Sequence, residues 1–178
     1  MQRADTDPLL TALAAGDARA FSVLYERFGA RLHGAAWGML GRREDAEDAV
    51  QEVFAALVRS RGRLTEVDDM TAYLFAALRR AAGRIAIRRT RQPIGSATAA
   101  DEAIAPDAAA NSDPLQSERL ERALRSLPLE QREVIALKID GELTFGQIAE
   151  VLGISINTAA SRYRYALEKL RTALEGAR

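Results

Sequence analysis

The stretch Thr144-Phe145-Gly146-Gln147-Ile148-Ala149-Glu150-Val151-Leu152-Gly153-Ile154-Ser155-Ile156-Asn157-Thr158 decides how this chain is read. Thr144 with Gln147 three residues on is a capping box, which starts a helix by satisfying two orphan N–H groups. The helix ends at Leu152-Gly153, because Gly takes the left-handed turn at least cost. Ser155 then caps a second helix that runs through about Leu174. Ala149 is small where the second helix crosses, and Ile148, Leu152 and Ile154 hold the pair at a steep angle. This is a helix-turn-helix. Its second helix leaves an N-terminus pointing outwards, where N–H groups can meet a phosphate. Along it stand Asn157, Thr158, Ser161, Arg162 and Arg164, side chains able to enter a major groove and read base edges or hold phosphates. The competing reading is a helical hairpin with a Gly turn that meets no nucleic acid.

Upstream, Asp113-Pro114 is an N-cap followed by Pro at the first helical position. Leu115, Leu120, Ala123, Leu124 and Leu127 line one face of that helix. Pro128 opens the next, with Val134, Ile135, Leu137 and Ile139 inside and Gly141 after it. Before them, residues 93–116 are rich in Ala, Pro, Ser and Asp and poor in large apolar side chains, so they read as a flexible, acidic linker.

The N-terminal half is also helical. Asp7-Pro8 starts one helix, with Leu9, Leu10 and Leu13 apolar, and Gly16 stops it. Asp17 caps the next, whose apolar set is Phe21, Leu24, Phe28, Leu32, Ala35, Ala36 and Met39, ending at Gly41. Ala46, Ala49, Val50, Val53, Phe54, Leu57 and Val58 recur at three and four, giving one continuous stripe. A fourth helix runs from about Asp69 to Thr90. No period-two alternation and no Asn-Gly or Asp-Gly hairpin marks a sheet. The expected fold is all-α: two small helical domains, residues 1–92 and 117–178, joined by the linker 93–116.

With 178 residues, the chain is long enough for two small domains with modest cores. Lys+Arg and Asp+Glu are both 25, which excludes a generically polycationic nucleic-acid binder but not a local basic face. Residues 1–92 carry 15 basic and 12 acidic side chains, net +3. The linker carries four acids and no base, net −4, and residues 117–178 ten bases and nine acids, net +1. Within the first segment Glu44, Asp45, Glu47, Asp48 and Glu52 form an acidic run, and Arg79, Arg80, Arg84, Arg88, Arg89 and Arg91 a basic one. Two opposite patches suggest two different partners; the plainer reading is two solvated helix faces. Cys is absent, which excludes disulfides, thiolate zinc sites and cysteine nucleophiles, and the single His, His33, cannot build a metal cluster. No Gly-rich phosphate loop or nucleophile–base constellation is present, so an enzyme is not expected, nor any cofactor or metal. Apolar runs fall far short of a bilayer span and the N-terminus lacks signal-peptide character, so a soluble, cytoplasmic protein is expected.

Leu127-Pro128, Gln131-Arg132-Glu133-Val134, Gln147-Ile148-Ala149, Leu152-Gly153-Ile154-Ser155, Thr158, Ser161-Arg162 and Leu170-Arg171 resemble the C-terminal domain of sigma-70-type RNA polymerase sigma factors. Independently, Phe21-Ser22-Val23-Leu24-Tyr25-Glu26-Arg27 and Ala46-Glu47-Asp48-Ala49-Val50-Gln51-Glu52-Val53-Phe54 resemble the sigma domain that binds core polymerase. Two such domains and a short linker are similar to the extracytoplasmic-function (ECF) group. The resemblance implies a sigma region 2-like domain over 1–92 and a region 4-like helix-turn-helix domain over 117–178.

It also implies roles. Asp48, Gln51 and Glu52 would dock on the coiled coil of the largest catalytic polymerase subunit. Arg79, Arg80, Arg84 and Arg88 would meet the promoter element nearest the start site. Asn157, Thr158, Ser161, Arg162 and Arg164 would read the distal element. The chain departs from the family at Tyr73, where members often carry Trp, and at Arg80, where Asn is common. Residues 64–70 hold no aromatic, and Ala159-Ala160 stand where Val-Lys is frequent. Tyr73, Phe75, Tyr163 and Tyr165 also have a reading as packing residues. The implied partners are core RNA polymerase, promoter DNA and an anti-sigma factor, with no membrane and a monomer when free. The linker, at most roughly 80 Å long, can bridge two DNA sites roughly 70 Å apart. The alternative function is a helix-turn-helix regulator that binds an operator by itself and ignores polymerase. The acidic run discriminates, since such a regulator needs no exposed polymerase-docking helix.

Overall fold

The computed structural model describes residues 8–91 and 114–175. Every regular element among them is helical: α1 (Pro8–Ala15), α2 (Ala18–Leu40), α3 (Arg43–Arg59), a 3₁₀ turn (Arg61–Glu66), α4 (Met70–Arg91), α5 (Pro114–Ser126), α6 (Leu129–Ile139), α7 (Phe145–Leu152) and α8 (Ile156–Glu175). The caps expected at Asp7 and Asp113, and the linker apart from its last three residues, lie outside the described residues.

The punctuation works as its chemistry dictates. Gly16, Gly41 and Gly153 all take positive φ at helix ends. Asp17 caps α2 by accepting from the Arg19 N–H at 2.9 Å, and the Gly41 N–H closes it on the Trp37 carbonyl. Glu44 and Asp45 occupy the first turn of α3 and Arg59 the last, each favourable to the helix dipole. The 3₁₀ turn was not anticipated, since six residues are too few to show a period. It places Leu64 in the core against α1.

The first half is built on α2, α3 and α4. Leu24, Phe28, Leu32 and Met39 meet Val50, Val53 and Leu57 and then Leu74, Leu78 and Ile85, all buried. The second half has a small core of its own from Ala123, Leu127, Ile135, Ala166 and Leu170. Several residues read as interior face solvent instead: Val58 on α3 and Ile139 on α6 are exposed, as are Leu115 and Leu120 on α5.

The two halves are in contact. α6 lies on α2, and α7 lies on α4. The larger core therefore continues from the first half through Val134, Leu137, Leu143, Ile148 and Ala159 of the second. On α6, Val134, Ile135, Ala136 and Leu137 are consecutive and all buried. A helical turn that is apolar on every side is one with neighbours on every side. Here α2 covers one face of it and α8 another.

Close approach of α6 to α2 depends on glycine. A Cβ added at Gly38 would stand 2.9 Å from the Ala136 Cβ, and one at Gly34 would stand 3.0 Å from the Asp140 Cβ. Beyond α6 the chain turns through Gly141 and Glu142. A Cβ at Gly141 would meet the Leu137 carbonyl at 2.6 Å and the Phe75 ring at 3.0 Å. Glu142 takes φ 53°, a strained value for a residue with a side chain.

Candidate DNA and polymerase interface

The helix-turn-helix forms as read. Thr144 Oγ1 accepts from the Gln147 N–H at 3.2 Å, and Gln147 Oε1 accepts from the Thr144 N–H at 2.9 Å. Gly153 turns the chain at φ 66°, and its N–H reaches Ala149 and Glu150 carbonyls. Ile148, Ala149 and Leu152 are buried between the helices. Ser155 Oγ accepts from the Thr158 N–H at 3.0 Å, which caps α8. Phe145 and Tyr163 meet edge to face with centroids 5.6 Å apart and brace α7 on α8. Tyr163 is thus a packing residue, whereas Tyr165 is half exposed.

The five residues expected at the distal element share the N-terminal half of α8 but not one environment. Asn157 and Arg164 are exposed, with the Arg164 guanidinium 5.2 Å from the Tyr165 ring. Thr158 and Ser161 are half-buried and spend their hydroxyls locally, Thr158 on Ser155 and Ser161 on the Thr158 carbonyl. Arg162 pairs with Glu130 of α6 at 2.8 Å. Asn157 and Arg164 are therefore the side chains most available to a groove.

On α3, Asp48 and Gln51 are exposed and Glu52 half-buried, on the face opposite Ala46, Ala49, Val50 and Val53. The carboxylates are not idle. Glu52 accepts from Arg84 at 2.7 Å, Asp48 pairs with Arg88 at 3.6 Å, and Asp45 accepts from Arg89 at 3.0 Å. The acidic and basic runs thus form a ladder between α3 and α4. The sequence separates these partners by 32 to 44 residues, so no local spacing announces the ladder. Arg80 is exposed with no ion pair among the described residues. Arg79 is half-buried and reaches across to Glu133 of α6 at 3.3 Å.

Residues that sequence reasoning passed over lie where the halves meet. Gln147 Nε2 donates to Asp69 Oδ2 at 2.8 Å while Asp69 Oδ1 accepts from the Ala72 N–H, so one carboxylate caps α4 and holds α7. Burial alone would push the Asp69 carboxyl up. The hydrogen bonds from Gln147, Ala72 and Thr71 outweigh it and hold the group below its ordinary value. Arg31 donates to the Gly141 carbonyl, pairs with Glu142 at 3.4 Å and stands over the Phe75 ring. Asp140 lies against Gly34 and Gly38. Burial pushes its carboxyl up from the usual range, and no cation pairs with it among the described residues. Burial likewise lowers Arg132, with Arg89 adding repulsion and Glu133 opposing both. The legible signal was Gly34-Ala35-Ala36-Trp37-Gly38, two glycines one turn apart inside a helix.

Among the described residues no group of His, Cys, Asp and Glu could hold a metal ion, and no helix is long and apolar enough to cross a membrane. Tyr73 is half-buried, its hydroxyl 3.1 Å from Ser60 Oγ, and Phe75 is fully buried.

Fold and site together define a helix-turn-helix DNA-binding protein carrying a second helical unit with an acidic outer face. Comparison with known proteins supplies the family. Residues 24–92 match the model for sigma-70 region 2, and residues 117–170 that for sigma-70 region 4. The RNA polymerase sigma factor CarQ of Myxococcus xanthus is 34% identical over 157 residues, covering 87% of this chain and 89% of CarQ. The ECF RNA polymerase sigma factor SigM of Mycobacterium tuberculosis is 30% identical, covering 95% of this chain and 84% of SigM. Among solved structures, CnrH in complex with the cytosolic domain of CnrY superposes with a TM-score of 0.70 at 28% identity, covering 97% of this chain and 99% of that one. RpoE in complex with the anti-sigma factor NepR from Bartonella quintana, at 24% identity and TM-score 0.69, covers 90% of this chain and all of that one and has the same fold. The chain belongs to the sigma-70 family of RNA polymerase sigma factors, in its ECF group. It is a promoter-recognition subunit that binds core RNA polymerase and promoter DNA and directs transcription initiation.

Proposed function

We propose a division of that work among named residues. Residues 1–92 are the unit that docks on core polymerase, through Asp48, Gln51 and Glu52 on the outer face of α3. The same unit meets the proximal promoter element through Arg79, Arg80, Arg84 and Arg88 of α4. Residues 117–178 read the distal element through Asn157, Thr158, Ser161, Arg162 and Arg164, and residues 93–116 span the two. Catalysis belongs to the polymerase, so this chain is not itself an enzyme. It works in the cytoplasm, as a monomer when free, and is held by an anti-sigma partner. Support for that partner comes from the CnrH and RpoE structures, both complexes with a second protein, RpoE's being an anti-sigma factor.

The observation that carries the assignment is the exposed start of α8, with Asn157 and Arg164 outward and the capped N-terminus open. An amide can bond a base edge bidentately, worth about 1–3 kcal/mol of discrimination, whereas an Arg on phosphate gives affinity without sequence. The test is run-off transcription by reconstituted holoenzyme on genomic fragments selected with the wild type. Asn157→Ala is expected to relax preference at one distal base pair. Arg164→Ala is expected to weaken binding uniformly and reduce its salt dependence by about one phosphate contact. Wild-type behaviour of both variants at every distal position would refute the assignment.

A further inference from the structure

Ile156 is the first residue of α8 and is 58% exposed. The side of α8 that seats on the rest of the chain is marked by Ala159, Ala166 and Leu170, all buried. Ile156 belongs to neither apolar core. A β-branched residue is also a poorer helix former than Ala or Leu. Neither burial nor helix propensity accounts for an isoleucine at this position.

Ile156, Ala160 and Arg164 stand one turn apart in one row of α8, with Asn157 and Ser161 in the row beside it. Most polar groups on this part of the helix are engaged within the chain. Thr158 Oγ1 lies 2.8 Å from Ser155 Oγ, the Ser161 hydroxyl donates to the Thr158 carbonyl at 3.0 Å, and Arg162 pairs with Glu130 at 2.8 Å. What faces outward is one amide, one guanidinium and a short aliphatic strip. Asn157 and Arg164 can hydrogen-bond; Ile156 and Ala160 can make only apolar contacts. Along the major groove, the one apolar group that the base pairs project is the C5-methyl of thymine.

We propose that Ile156 reads a thymine methyl in the distal promoter element, with Ala160 extending the same strip. The inference rests on the placement of α8 in the distal element proposed above, and it adds a specificity determinant to that placement. Ile156 and Asn157 are consecutive, so the thymine lies at or beside the base pair whose edge Asn157 reads. Asn157 selects through hydrogen bonds and Ile156 through apolar contact, so the two signals are separable. Deoxyuridine in place of thymine deletes the methyl and leaves the hydrogen-bonding edge intact. Loss of one buried methyl corresponds to about a fourfold loss of affinity.

The test uses holoenzyme reconstituted with the full chain and a promoter fragment selected with the wild type. Each thymine of the distal element is replaced in turn by deoxyuridine, and binding is measured by competition. The expected result is about a fourfold loss at one position. At that position Ile156→Ala should bind thymine and deoxyuridine equally, whereas Ile156→Val, still branched at Cβ, should keep most of the discrimination. Ile156 is exposed, so both variants should fold, which circular dichroism checks. Three results would each overturn the proposal: deoxyuridine without effect at every distal position, a selected element that contains no thymine, or a penalty that Ile156→Ala leaves unchanged. Asn157→Ala and Arg164→Ala, assayed alongside, show which reading has failed. If they act as expected while the deoxyuridine scan is silent, the methyl contact alone is wrong. If they are silent too, the placement of α8 fails and the methyl contact falls with it.

Discussion

Replacing Gly38 by Ala sets two effects of opposite sign against each other. Within a helix the change stabilises by about 1 kcal/mol, since Ala loses less backbone entropy. Here the new Cβ would stand 2.9 Å from the Ala136 Cβ. Carbon atoms rest at about 3.5–4.0 Å, so α2 and α6 must part by roughly 1 Å. Overpacking of this kind costs about 1–3 kcal/mol. The net expectation for the full chain is a loss of about 1 kcal/mol. Gly83 provides the internal control. It lies in α4, is exposed, and its added Cβ would meet nothing within 4 Å. Gly83→Ala should therefore gain the helix-propensity term alone, about 1 kcal/mol. Urea denaturation followed by circular dichroism reads both as shifts of the midpoint. The expected result is a shift to lower urea for Gly38→Ala and to higher urea for Gly83→Ala. If Gly38→Ala stabilises as much as Gly83→Ala does, α6 is not seated on α2 in solution and the reasoning fails.

Two carboxylates at the contact between the halves should titrate with opposite consequences. Asp140 is raised by burial, so its contribution favours the folded state below the ordinary carboxylate value and declines as pH rises through its raised value. Asp140→Asn should raise the urea midpoint at pH 7 and flatten that slope. Asp69 is lowered on balance, so its contribution is present above the ordinary value and lost as pH falls through its lowered one. Gln147→Ala should lower the midpoint at pH 7, with the deficit shrinking in acid below that range to the part owed to the lost capping bond with the Thr144 N–H. The α3–α4 ladder gives a further test. Its pairs are partly exposed and worth at most about 1 kcal/mol each, so Asp48→Asn/Glu52→Gln should cost little stability. It should free Arg84 and Arg88, tighten binding of the free chain to DNA, and steepen the salt dependence by up to about two phosphates. Neutralising Glu118 and Glu175, remote on α5 and α8, is the charge-matched control and should not steepen it.

Local chemistry made most of the fold legible. Capping residues and glycines fixed the helix ends at Asp17, Gly41, Thr144 and Gly153, because those signals act within one turn. The helix-turn-helix was readable for the same reason. What stayed hidden was long-range. The ladder joins residues from separate helices, and the packing of α6 on α2 joins residues about a hundred apart, neither of which a period can reveal. Two traces were nevertheless present: the Gly34 and Gly38 spacing, and the unbroken apolar run Val134–Leu137. Periodicity misled at Val58 and Ile139, since it names a face but not how far the neighbour extends. Of the candidate site residues, Asn157, Arg164, Arg80, Asp48 and Gln51 lie at the surface, while Arg79 and Arg162 are engaged with Glu133 and Glu130.

The most direct test of the division of labour uses purified core polymerase with the wild type and with Asp48→Arg/Glu52→Arg, circular dichroism confirming that the variant remains helical. The account predicts that the wild type binds core and starts run-off transcripts from selected fragments, and that the charge reversal abolishes core binding. Equal binding of core by the two proteins would contradict it.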